Sequence, residues 1–185
     1  MAEFFDQTMK RPMLGYIPSW IHPNHLTIAR ALLAVPVILL KDKPALAVSL
    51  LILSSVLDIL DGPLARIRNQ RSQFGAWLDS MADKAFVLTV LFLACWDTVP
   101  LAISLPIAGF ELVLIIIRII KERYEVKADS NAFGAIKTWS QSVGLAFVLT
   151  QNDFLSRLSP AAFIFALIAA SLSLAYHIRD FRRPA

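Results

Sequence analysis

The sequence predicts an all-α fold: a six-transmembrane-helix integral membrane protein with a short N-terminal interfacial segment. Three observations predict it. Hydrophobic residues make up 57% of the 185-residue chain, above the roughly 45–50% of water-soluble domains. They lie in long unbroken blocks, the membrane pattern, rather than spread over amphipathic surfaces. Basic residues gather in alternate breaks between those blocks, as they do where loops face the cytoplasm.

Residues 1–22 come first. Phe4, Phe5, Met9, Met13, Leu14, Tyr16, Ile17 and Trp20 mix there with Lys10 and Arg11, which suits a segment lying along the cytoplasmic interface. Pro12, Gly15 and Pro18 break it, so one continuous helix is not expected. The order of segments in a signal peptide is absent from MAEFFDQTMKRPM. Residues 23–185 then read as a single six-helix domain, with no soluble domain, long linker or internal repeat.

Six apolar blocks run over 24–40, 45–66, 75–95, 98–118, 134–150 and 159–177. A spanning helix needs about 17–25 residues. The fifth block is short and starts polar. Helices are expected because lipid cannot satisfy an open backbone. Barrel strands would alternate, and LAVSLLILSSVL at 46–57 does not. KDKP at 41–44, WDTVP at 96–100 and QNDFLSRLSP at 151–160 make the three hairpins on one side. That side holds only Lys41, Lys43 and Arg157 as cations. The other holds Lys10, Arg11, the 66–71 turn, the 118–127 stretch, Arg179, Arg182 and Arg183. The bias and the even number of crossings place both termini in the cytoplasm of a cell inner or cytoplasmic membrane.

The formal net charge of +4 does not indicate nucleic acid, because the cations sit between apolar blocks where headgroups and phosphates are the nearer partners. The single Cys95 can form neither an internal disulfide nor a thiolate cluster, and reads as a small buried hydrophobe. His22, His25 and His177 are scattered and form no ligand set. Trp20, Trp77, Trp96 and Trp139 fall near helix ends, as interface anchors do.

The strongest chemical signal is DILDGPLARIRNQRSQFGAWLDSMADK at 58–84. Asp58 and Asp61 stand near the end of the second helix, Asp79 and Asp83 near the start of the third. Positions three, four and seven apart share a helix face, so Asp58, Asp61, Gly62 and Ala65 form one stripe and Gly75, Asp79 and Asp83 another. A short turn brings the two stripes together. Four carboxylates so placed repel one another and are costly to ionise beside lipid. Bound cations offset both penalties, and carboxylate oxygens suit Mg²⁺ or Mn²⁺. No His or Cys set points to zinc. Ordinary interfacial acids paired with Arg66, Arg68, Arg71 and Lys84 would not need two same-face pairs.

Asp58, two residues, Asp61-Gly62, two residues, Ala65-Arg66, eight residues, Gly75, three residues, Asp79, three residues, Asp83: this resembles the complete motif of the CDP-alcohol phosphotransferase family. PNHLTIAR at 23–30 resembles the family's Pro-Asn-x-x-Thr opening, with Pro23, Asn24, Thr27 and Arg30 in place. The resemblance covers most of the chain. It implies two metal ions per active site on Asp58, Asp61 and Asp79, with Asp83 serving the second ion and acting as general base. It implies that Gly62, Ala65, Arg66 and Gly75 surround the cytidine diphosphate, with Asn24 and Thr27 as further nucleotide contacts. It also implies a homodimer, a cytoplasm-facing pocket and a CDP-diacylglycerol donor. Direct displacement at the lipid-linked phosphorus, with no phospho-enzyme, is the expected chemistry.

Region 110–141 bears on the acceptor. It resembles bacterial phosphatidylglycerophosphate synthases at Glu111, Arg118, Gly134, Lys137, Thr138 and Gln141, and departs from them at Phe110 and Ile115. That implies glycerol 3-phosphate as acceptor, with Arg118 and Lys137 as acceptor-binding cations. The 121–127 cations read instead as a positive-inside anchor. Glu111 either orients Arg118 or faces the pocket. The alternatives are a cardiolipin synthase using phosphatidylglycerol, or an enzyme using inositol phosphate, inositol or serine. A transporter would place its acids mid-membrane and often carry a repeat, and a scaffold would not need four carboxylates.

Overall fold

A computed structural model describes residues 18, 20–70, 72–123 and 132–181. The expected interfacial segment falls almost wholly outside the described residues, as do Arg71, Lys127, Arg182 and Arg183. The described chain is all helical: α1 (Pro23–Leu32), α2 (Ala34–Leu39), α3 (Pro44–Ile67), α4 (Gln73–Thr89), a π-helical turn (Val90–Ala94), α5 (Leu101–Arg123), α6 (Ala132–Leu149) and α7 (Asp153–Phe181).

Each of the six apolar blocks is helical, and the differences have local causes. The first block divides at Leu33 into α1 and α2. Pro36 has no N–H to return to the Leu32 carbonyl, so the ladder slips at that turn. The third block ends in the π turn, where the Cys95 N–H reaches back five residues to the Val90 carbonyl (3.1 Å). The last helix begins at Asp153, earlier than the 159 expected from the polar QNDFLSRLSP. Asn152 Oδ1 accepts from the Phe154 and Leu155 N–H groups (3.0 and 3.2 Å) and so starts the helix upstream of Pro160. The carbonyl of Ser156, which Pro160 cannot serve, accepts from the Ser159 hydroxyl at 2.8 Å.

Among the described residues, three helices are long and apolar enough to cross a membrane: Pro44–Ile67, Leu101–Lys121 and Asp153–Arg179. Only 22%, 17% and 33% of their most apolar windows are buried, so most of that apolar surface faces outward. Leu39, Ile52, Leu105 and Phe165 are exposed, whereas Arg30, Asp61, Glu111 and Lys137 are buried. A polar interior inside an apolar exterior is the arrangement of a multi-pass membrane protein.

Helix α1 packs against both α3 and α4, α6 lies along α7, and α5 packs on α7. Where α6 meets α7, a Cβ on Gly144 would stand 2.8 Å from Phe163 Cε1, so any larger residue would have to displace that ring. The apolar core joins Val37, Leu51, Phe86, Leu91, Leu145 and Phe163. These residues come from the half of each helix away from the aspartates. The other half of the bundle is left for the site.

Candidate active site

The two carboxylate helices are joined by a turn whose geometry is local in origin. Asn69 adopts φ 52°, the left-handed conformation that asparagine tolerates well. The Gln70 N–H then reaches the Ala65 carbonyl (2.9 Å) and the Asn69 N–H the Arg66 carbonyl (3.2 Å), closing the end of α3. Ser72 opens α4 by accepting from the Gly75 N–H at 2.9 Å. The helices thus return on each other, and one oxygen from each of Asp58, Asp61 and Asp79 lies within 4.8 Å of the others.

The spacing groups four aspartates, and three of them make up this trio. Its donors are all carboxylate oxygens, held on two rigid helices, and that set fits a hard divalent cation. Asp83 stands one turn beyond Asp79 and outside the trio, 3.8 Å from Arg30, with its side chain 22% exposed. It lines the cavity described below.

Helix α1 supplies the polar groups behind the carboxylates. Arg30, only 2% exposed, donates to Asp58 Oδ1 through Nη1, and through Nη2 to Asp79 Oδ1 (3.0 Å) and the Asp79 carbonyl (2.8 Å). Thr27, expected to touch nucleotide, donates its buried hydroxyl to Asp61 Oδ2 at 2.9 Å. Arg30 carried no site role in the sequence reading. The available signal was its place three residues after Thr27, on the same helix face.

A cavity of about 680 Å³ opens beside the trio. Asp58, Asp79 and Asp83 line one part of its wall, and Lys84, Arg118 and Lys137 another. Lys137 is buried and donates to both Glu111 oxygens (2.6 and 2.7 Å), while Gln141 Nε2 donates to Glu111 Oε1 (2.8 Å). Glu111 therefore pairs across to α6, neither expected alternative for it being its main contact. Arg118 donates to the Ala76 carbonyl at 2.9 Å.

Lys121 departs from the anchor reading. It is 1% exposed, lines the same cavity and lies 3.4 Å from His177 Nδ1. An anchor would hold its charge in the headgroup layer. The other 121–127 cations have no described side chains. Trp20, Trp77, Trp96 and Trp139 are all exposed, and Cys95 is buried, as expected.

Gly62, Ala65 and Arg66 lie on the last turns of α3, outside the lining of that cavity. A Cβ on Gly75 would stand 3.0 Å from Asn24 Oδ1 and 3.1 Å from Ser72 Oγ. Glycine at 75 therefore lets α1 and the start of α4 meet.

A helical bundle with a polar interior, an apolar exterior and carboxylates and cations on one cavity wall defines a multi-pass membrane protein with a candidate cation site. Residues 20–175 match the CDP-alcohol phosphatidyltransferase family, and the chain belongs to it. Three relatives illustrate the range. A CDP-diacylglycerol--glycerol-3-phosphate 3-phosphatidyltransferase of Cereibacter sphaeroides is 45% identical over 80 residues, 40% of this chain and 36% of that protein. One of the same name from Pseudomonas fluorescens is 30% identical over 163 residues, 82% of this chain and 84% of that protein. A probable cardiolipin synthase (CMP-forming) of Drosophila melanogaster is 37% identical over 83 residues, 43% of this chain and 26% of that protein. The match thus spans well under two thirds of the Cereibacter and Drosophila proteins.

Proposed function

We propose that this chain transfers a phosphatidyl group from CDP-diacylglycerol to glycerol 3-phosphate, releasing CMP and forming phosphatidylglycerophosphate. The observation that carries the reading is the cavity whose wall joins the carboxylates of α3 and α4 to the cations of α4, α5 and α6. A diphosphate bound to cations at the acidic part would stand next to a place for an anionic acceptor. Relatives bearing this activity's name support the choice of acceptor.

Asp58, Asp61 and Asp79 would hold the metal, with Asp83 serving a second ion. Two bound Mg²⁺ or Mn²⁺ ions would neutralise the diphosphate and stabilise the departing CMP. Asp83, on the cavity wall, takes the proton of the acceptor hydroxyl. The acceptor oxygen forms its bond to the lipid-linked phosphorus as the bond from that phosphorus to the CMP oxygen breaks. No covalent enzyme intermediate is needed. Arg118 and Lys137 hold the acceptor phosphate, and Lys137 is pre-oriented by Glu111. Asn24, Gly62, Ala65, Arg66 and Gly75 form the nucleotide cradle, with Gly75 keeping the Asn24 approach open.

The whole reading includes six crossings. The three rods outside the long apolar set, α1–α2, α4 with its π turn, and α6, are the ones that bring Arg30, Asp79, Asp83 and Lys137 inward. Polar cavity-facing residues lower their hydropathy without moving them out of the bilayer. Residues 1–22 lie at the interface and 23–185 form one domain, with termini and site on the cytoplasmic side of a cell inner or cytoplasmic membrane. The assembly is a homodimer that contacts membrane lipid on its exposed apolar faces.

The test is CMP release by purified protein in lipid–detergent micelles containing CDP-diacylglycerol and Mg²⁺, with each acceptor added separately and the product weighed by mass spectrometry. Glycerol 3-phosphate should support turnover, and excess EDTA should abolish it. Turnover with phosphatidylglycerol alone would instead make the chain a cardiolipin synthase, the reading that the Drosophila relative favours.

A further inference from the structure

The carboxylates that would hold the metal are themselves held, and helix α1 holds them. Thr27 and Arg30 lie three residues apart and share one face of α1. Thr27 takes Asp61 Oδ2, while Arg30 takes Asp58 Oδ1 and Asp79 Oδ1. The second oxygen of each aspartate takes no part in these bonds. Arg30 also grips the Asp79 carbonyl, so side chain and backbone of that residue are fixed together.

We propose that Thr27 and Arg30 are positioning residues for the metal ligands, each bond fixing an aspartate carboxylate in the orientation that brings the three together. The inference rests on the reading that Asp58, Asp61 and Asp79 bind a divalent cation. A carboxylate free to rotate would lose that convergence, and outer hydrogen bonds to metal-bound groups commonly prevent such rotation. Arginine suits the task better than lysine. Its planar fork reaches the carboxylates of α3 and α4 at once, which one ammonium on a flexible stem does not do rigidly.

Charge supports the same role. Four carboxylates stand around one guanidinium, which leaves the place net negative and suited to cations. Burial of the guanidinium keeps its bonds from competition by water. Its Nε, buried and without a hydrogen-bond partner among the described residues, shows that the group is committed to this geometry at some cost.

The test measures Mn²⁺ binding by the loss of the free-ion electron paramagnetic resonance signal, on purified wild type, Arg30→Lys and Thr27→Val. Thermal unfolding in EDTA is recorded beside it. Arg30→Lys keeps the charge and removes the fork; Thr27→Val keeps the shape and removes the hydroxyl. Each should weaken Mn²⁺ binding by about tenfold or more, the usual effect of losing an outer-shell partner. Unchanged affinity in both variants would overturn the proposal, even with a lowered Tm in EDTA, because the residues would then serve the fold alone. Should Arg30→Lys not fold, Thr27→Val decides the matter. Wild-type protein that binds no Mn²⁺ would remove the metal reading itself, and with it this role.

Discussion

Lys137 Nζ lies 2.6 and 2.7 Å from the two oxygens of Glu111, tying α6 to α5 through an ion pair buried on both sides. Gln141, one turn further along α6, adds a bond to the same carboxylate at 2.8 Å. The pair holds its cation on the cavity wall while sparing it an isolated charge in the bundle.

Removing one partner should cost more than removing both. Glu111→Ala leaves the Lys137 ammonium buried without its carboxylate, a change worth about 3–5 kcal/mol. The double variant Glu111→Leu/Lys137→Met should regain most of that stability while losing turnover, because the cation proposed to hold the acceptor phosphate is gone. Tryptophan-detected unfolding in detergent and CMP release give the two readouts. A single variant no less stable than the double would show that the pair does not support the fold.

The helical rods were legible because lipid demands continuous apolar runs of a known length. The carboxylate trio was legible because Asp58, Asp61 and Asp79 obey helix spacing on either side of a short turn. What stayed hidden were pairings between distant elements. Arg30 meets Asp79 across 49 positions and Lys137 meets Glu111 across 26, and no period in a sequence encodes either. Lys121 misled for a related reason. A lysine after an apolar helix reads as an anchor from its neighbours in sequence, whereas its burial depends on distant elements such as α7, which brings His177 within 3.4 Å. The break at Leu33 was within reach, since Pro36 marks it.

Gly144 tests the packing that holds α6 to α7. Its missing Cβ is the space taken by the Phe163 ring, which is fully buried. Gly144→Ala should destabilise by about 1–3 kcal/mol through overpacking. Adding Phe163→Leu should recover part of the loss, since the obstructing ring is then gone. If Gly144→Ala melts with the wild type, the helices separate there more easily than the contact implies.

Asp83 and the trio should fail in different ways. If Asp83 is the base proposed above, Asp83→Asn removes the proton acceptor while leaving Asp58, Asp61 and Asp79 in place, so turnover should fall about 100-fold or more with Mn²⁺ binding kept. Asp61→Asn should instead weaken Mn²⁺ binding itself, because a buried member of the proposed ligand set is lost. Turnover and Mn²⁺ titration on both variants separate the two roles. Substantial turnover by Asp83→Asn would remove it as the base.

Lys121 offers the sharpest contrast between anchoring and substrate binding. Its Nζ lies 3.4 Å from His177 Nδ1. Both side chains line a single cavity. An anionic acceptor would use both. Lys121→Met should raise the KM for glycerol 3-phosphate about tenfold or more, in line with a lost hydrogen bond to a charged group, with the KM for CDP-diacylglycerol little changed. His177→Gln, which keeps a donor, should raise it less than His177→Leu. An anchoring lysine would alter membrane insertion or yield and leave the KM of folded enzyme as it was. Steady-state kinetics on protein matched for folded fraction decide between them.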